Sequence, residues 1–96
     1  MLVVVTYDVN TETPEGRKRL RKVSKVCQNY GQRVQNSVFE CEVDAGKLLI
    51  VRDQLIKLIN TETDSLRIYN LGNNSRNKVE HIGAKASFDV NEPLIV

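Results

Sequence analysis

Tryptophan is missing from this 96-residue chain, histidine and methionine occur once each, and proline and cysteine only twice. Each scarcity removes a class of explanation. Cys27 and Cys41 have no metal-ligand spacing and only one His accompanies them, so a structural zinc site is not expected. They read as reduced core thiols of a cytosolic protein rather than as a disulfide. No apolar run approaches the roughly 20 residues that span a bilayer, and the apolar start has no basic flank of a signal peptide. The chain is therefore expected to be cytoplasmic and to stay off membranes. Gly-rich phosphate loops, serine triads and cysteine-nucleophile signatures are also absent.

What is present suits one globular domain, residues 1–96, with a single core. Hydrophobic residues make up 41% and charged residues 27%, the ordinary range for a soluble protein. Net charge is only +2 but unevenly placed. Residues 1–36 carry seven Lys/Arg against three Asp/Glu, residues 37–64 three against six, and residues 65–96 four against three. A basic face set apart from an acidic one is a footprint suited to nucleic acid.

The pattern along the chain predicts a first strand over about residues 2–8. Thr13 can cap and Pro14 can open a helix that runs to about Tyr30, with Gly31 as its stop. Leu20, Val23, Cys27 and Tyr30 form its apolar stripe. Gln32 to Val43 reads as one long strand, in which Val34 falls on the opposite parity from Phe39 and hints at a bulge or strong twist. Asp44 caps a second helix over about 45–60, with Leu48, Val51, Leu55, Leu58 and Ile59 inward. A strand over about 66–70, a polar loop over 71–77, and short strands near 79–84 and 86–90 complete the chain. The order best suits an α+β, ferredoxin-like βαββαβ fold: an antiparallel sheet, two helices on one face, and an extra C-terminal strand. The other sheet face needs cover. The C-terminal strands and tail, about 79–96, and a second copy of the chain are the candidates, which predicts a homodimer.

Two features carry chemistry. Asp8 is a lone carboxylate closing the most apolar run, Leu2 to Asp8, and a charge there must meet water, a cation or a partner. Arg17, Lys18, Arg19, Arg21, Lys22 and Lys25 then follow in a stretch without an acid. Like charges at i,i+4 repel, so so dense a cluster exceeds what a solvated surface needs and points to phosphate. An acid on a rigid strand beside a basic helix is what a metal-dependent reaction on a phosphodiester would need.

Tyr7-Asp8-Val9, the basic helix and Arg33-Val34-Gln35-Asn36-Ser37-Val38-Phe39-Glu40-Cys41 resemble the CRISPR-associated Cas2 family. So do Arg67-Ile68-Tyr69-Asn70-Leu71 and His81-Ile82-Gly83. The resemblance covers essentially the whole chain, most specifically at the strand-end Tyr-Asp and the Arg-x-Gln-x-Ser-Val-Phe-Glu segment. It implies a ferredoxin-like homodimer that serves in spacer acquisition, bridges dimers of the integrase Cas1 and helps hold duplex DNA. It also implies a Mg²⁺- or Mn²⁺-dependent endonuclease acting on double-stranded DNA or single-stranded RNA. Asp8 then corresponds to the catalytic metal ligand. Arg17, Arg19, Arg33 and Phe39 correspond to assisting positions.

A hard divalent cation wants several oxygen ligands, and one carboxylate cannot hold it tightly. Two Asp8 side chains across a dimer axis would. Lys18, Arg21, Lys22, Arg17, Arg19 and Arg33 are expected to bind nucleic acid, with Ser37 and Phe39 in possible support, although Phe39 reads more readily as core. His81 is expected to be a structural hydrogen-bonder and Tyr7 a packing residue. The competing function class is a non-catalytic DNA-binding scaffold that bridges integrase dimers. A small-molecule regulatory module is more distant.

Overall fold

A computed structural model describes residues 1–72 and 78–84. The elements run β1 (Leu2–Asp8), α1 (Pro14–Tyr30), β2 (Gly31–Gln35), β3 (Val38–Glu42), α2 (Ala45–Leu58), β4 (Ser65–Asn70) and β5 (Lys78–Gly83). They build one sheet in the order β2-β3-β1-β4-β5, antiparallel at every pairing. The first four strands in that order are the ferredoxin-like arrangement. β5 adds the extra edge, and β1 is central.

Burial alternates along β1: Val3, Val5 and Tyr7 are buried, whereas Asp8 is exposed. The register places Phe39 opposite Val5, and Ile68 and Leu66 opposite Val5 and Tyr7, so these side chains share one face. Val23 and Cys27 of α1 and Val51 and Leu55 of α2 close over that face to form the core. The expected stripes of both helices are thus the buried ones. Val4, Thr6 and Asp8 belong to the helix-free face, which Arg67, Tyr69 and His81 share by register.

The single strand expected over Gln32–Val43 is instead a hairpin. Asn36 and Ser37, both good turn formers, separate β2 from β3. The backbone N–H of Tyr7 donates to the Ser37 carbonyl at 3.1 Å and ties the turn to the central strand. The parity conflict at Val34 is a register shift between Arg33 and Gln35. Gly31 does stop α1, but not through a left-handed cap, since its φ of −158° is extended. It is needed for space: a Cβ there would collide with the Glu40 carbonyl oxygen and the Cys41 Sγ. The expected strand at 86–90, the tail to Val96 and residues 73–77 of the loop lie outside the described residues. Among the described residues, no helix is long and apolar enough to cross a membrane.

Candidate active site and nucleic-acid surface

Asp8 ends the central strand beside Ser65 of β4, on the helix-free face. It is exposed, and among the described residues its carboxylate makes no hydrogen bond and no ion pair. The turn after it is capped without its help. Asn10 Oδ1 accepts from the Glu12 N–H at 2.9 Å, and Thr13 Oγ1 accepts from the Gly16 N–H at 3.0 Å. An uncommitted carboxylate on a rigid strand end fits a hard cation in chemistry. It falls short in number, because such an ion takes about six oxygen ligands. Among the described residues there is no group of three or more His, Cys, Asp or Glu side chains able to hold a metal.

Directly before β4 lies a second carboxylate, and its fate is opposite. Asp64 is fully buried and receives hydrogen bonds from the backbone N–H groups of Asn10 and Asn60, each at 2.9 Å, and from Thr63 Oγ1 at 3.1 Å. Arg19 completes the cage, Nε to Oδ2 at 2.8 Å and Nη2 to Oδ1 at 3.3 Å. Burial alone would raise the Asp64 pKa. The Arg19 guanidinium and the three other donors outweigh it and hold the carboxyl below its ordinary value. This carboxylate ties the turn before α1 and the turn after α2 to α1 itself. It therefore fixes the loop that carries the chain away from Asp8.

The six expected cations of α1 consequently have different duties. Arg19 is half-buried on Asp64. Arg17 reaches back to the Thr11 carbonyl at 3.0 Å and remains exposed. Lys18, Arg21, Lys22 and Lys25 are exposed. Lys18 and Lys22 lie one turn apart on the side turned away from the core, as a phosphate contact requires.

Arg33, Ser37 and Phe39 are brought together, but not with Asp8. Phe39 is fully buried in the core and stacks on Tyr7, with ring centroids 6.1 Å apart. The Arg33 guanidinium lies 5.1 Å over the Phe39 ring and its Nη2 donates to Ser24 Oγ. All of these side chains stand on the helix side of the sheet, opposite the face that carries Asp8. His81, expected to be a structural hydrogen-bonder, has a buried Nε2 that finds no hydrogen-bond partner among the described residues.

Residues 1–79 match the family model for CRISPR associated protein Cas2. The chain belongs to the Cas2 family. It is 64% identical over 95 residues to the CRISPR-associated endonuclease Cas2 of Halalkalibacterium halodurans, a match covering 99% of each chain. It is 56% identical over 96 residues to the CRISPR-associated endoribonuclease Cas2 of Chlorobaculum tepidum, covering 100% of each. The crystal structure of Streptococcus pyogenes Cas2 at pH 6.5 superposes with a TM-score of 0.70 at 60% identity, over 75% of this chain and 87% of that one. Membership of the Cas2 family agrees with the ferredoxin-like fold class read from the chain, the hairpin over Gly31–Glu42 being the correction within it.

One functional neighbour escaped the sequence reading: Asp64. A signal for it exists. Asn-Thr-Glu-Thr occurs twice, at 10–13 and at 60–63, each time directly after a core residue, Val9 or Ile59, where the chain enters a turn. In both copies the Asn side chain accepts from the N–H two residues on, at 2.9 and 3.0 Å. In both, the Asn N–H donates to Asp64. The repeated turn marks the carboxylate that joins its two copies.

Proposed function

We propose that this Cas2-family chain is a Mg²⁺- or Mn²⁺-dependent endonuclease of CRISPR spacer acquisition, with Asp8 as the metal ligand. The observation that carries the reading is the freedom of Asp8. Asn10, Thr13 and Asp64 accept the N–H groups of Glu12, Gly16 and Asn10 in the turn, and Asp8 takes no part in that capping. The relatives named above as an endonuclease and an endoribonuclease support cleavage of phosphodiesters in DNA or RNA. A bound divalent cation would supply Lewis-acid charge stabilisation and a more acidic water. Asp8 contributes a rigid anionic oxygen, and exposed Lys18, Arg21 and Lys22 attract the polyanion from the neighbouring helix.

A single chain offers one carboxylate, so the reading includes a homodimer in which two Asp8 side chains complete the site. The helix-free face supports it. Leu2, Val4 and Val38 give that face an apolar component that a solvated sheet face does not need and a second copy would cover. The test is cleavage of labelled single-stranded RNA and duplex DNA, with and without EDTA, by wild type and Asp8→Ala. Cleavage that EDTA and the substitution each abolish is expected. Undiminished cleavage by Asp8→Ala in a contaminant-free preparation would remove Asp8 from the mechanism.

The second reading is a scaffold that binds DNA and the integrase Cas1 without chemistry of its own. The outward cations of α1 favour it as much as they favour catalysis. It predicts duplex binding that falls steeply with salt in both wild type and Asp8→Ala, and no cleavage in either.

A further inference from the structure

Between α1 and the β2–β3 hairpin lies a cavity of about 480 Å³, away from Asp8. Tyr7 lines its floor, which puts the cavity on the helix side of the sheet and Asp8 on the other. Arg21 and Lys25 enter it from α1 and Arg33 from β2, and no carboxylate lines it. Three like charges around one concavity repel one another, and an anion between them relieves that repulsion.

The site is also preorganised. Arg33 is not a loose surface arginine, because Ser24 Oγ holds its Nη2 and the Phe39 ring supports its guanidinium plane. Phe39 is in turn fixed by its stack on Tyr7 and by full burial. A cation already held in place loses little entropy when it binds, so it contributes more to affinity than a mobile one. The hydroxyls of Ser24 and Ser37 add donors beside the cations. Gln28 and Asn36 add amides, which can match both donors and acceptors, and Leu20 adds an apolar wall. The volume falls within the roughly 300–1,000 Å³ of small-ligand pockets, suited to one nucleotide and too small for a duplex.

From this geometry we infer that the groove binds a single nucleotide through a terminal phosphate. Arg21, Lys25 and Arg33 surround the phosphate, a planar fork such as Arg33 making the paired hydrogen bonds. The base lies against Tyr7 and Leu20 with its polar edge toward Gln28 and Asn36. The occupant is either a free mononucleotide or the phosphorylated end of a strand. Both present the same chemistry. The inference does not rest on the Asp8 reading, since the two sites lie on opposite faces of the sheet.

Amide NMR of the ¹⁵N-labelled protein tests it, with 5′-AMP, adenosine, inorganic phosphate and a short oligonucleotide with or without a 5′-phosphate as probes. The expected result is saturable shifts at Ser24, Gln28 and Ser37 with 5′-AMP, and none with adenosine. Lys25→Gln, an exposed position whose neutralisation spares the fold, weakens binding about tenfold, the loss of roughly one charge-assisted hydrogen bond. Arg33→Gln weakens it further. Asp8→Ala binds as wild type does, whether or not it cleaves anything. Equal shifts with the phosphorylated oligonucleotide assign the occupant to a strand end, and shifts with 5′-AMP alone assign it to a free nucleotide. No shifts with millimolar 5′-AMP, equal shifts with adenosine, an unaffected Lys25→Gln, or inorganic phosphate binding as tightly as 5′-AMP would each overturn the inference.

Discussion

Replacing Asp64 with Asn tests the claim that one buried carboxylate holds the loop behind Asp8. The side chain keeps its shape but loses its charge and one of its two acceptor oxygens. Five hydrogen bonds converge on the carboxylate, two from Arg19 and three from Asn10, Asn60 and Thr63. The single oxygen of Asn accepts at most two of them, and its NH₂ group faces donors. Three donors are left without partners at about 1–3 kcal/mol each if they stay dry. Breaking a buried ion pair costs about 3–5 kcal/mol, which agrees with the lower half of that sum. Such a loss is a large part of the roughly 5–15 kcal/mol that holds a domain together. Urea denaturation followed by circular dichroism reads it directly, and melting should fall by roughly 15–30 °C. The pH dependence supplies the sign. Because the folded Asp64 pKa is lowered, its stabilisation is complete above the unfolded carboxylate value and is lost as pH falls through the folded one. The gap between wild type and Asp64→Asn therefore narrows in acid. Arg19→Gln combined with Asp64→Asn should cost less than the sum of the two alone, since both remove the same contact. A loss below about 1 kcal/mol at neutral pH, or strict additivity, would refute the reasoning.

Two further outcomes follow from the same geometry. Cys27 is fully buried and its pKa is pushed up to about 12, by burial first and then by the neighbouring Cys41, with Arg33 opposing. Both thiols are free and buried, so a disulfide reagent should leave them untouched in the folded protein and label both in denaturant; rapid labelling of the native state would contradict that packing. On duplex DNA, Lys18→Gln and Lys22→Gln should each lower the slope of log K against log salt by about one. Arg19→Gln should leave the slope nearly unchanged while reducing stability, and the reverse pattern would show that Arg19 contacts DNA instead of Asp64.

Much of this was legible in the chain because it rests on periodicity. The apolar stripes of α1 and α2 and the Thr13 and Asp44 caps each follow local rules that the packed structure obeys, whereas the alternating burial of β1 is hidden in a continuous apolar run. The hairpin at Asn36-Ser37 was missed because the turn is only two residues long and contains neither Gly nor Pro. The parity conflict at Val34 marked the register shift inside β2, as expected, and gave no sign of the turn itself. Asp64 was missed for a different reason. Its role depends on three segments far apart in sequence, and an Asp at a polar turn looks like any other. The same limit applies to Arg33 and Phe39, which adjoin Ser37 in sequence and stand in a motif with it. Strand alternation and a register shift turn them to the face away from Asp8. Which face a side chain occupies is decided by pairing, which the linear pattern does not display.

The central claim is that the ligand Asp8 lacks within its own chain is the Asp8 of a second copy. Mixed dimers test it most directly. Wild-type and Asp8→Ala chains, unfolded and refolded together at equal amounts, assort at random into dimers, of which about one quarter carry two Asp8 side chains. Metal-dependent cleavage at about one quarter of the wild-type rate is the predicted result. A rate near one half would show that each chain works with its own Asp8, and an undiminished rate would show that Asp8 is not needed at all.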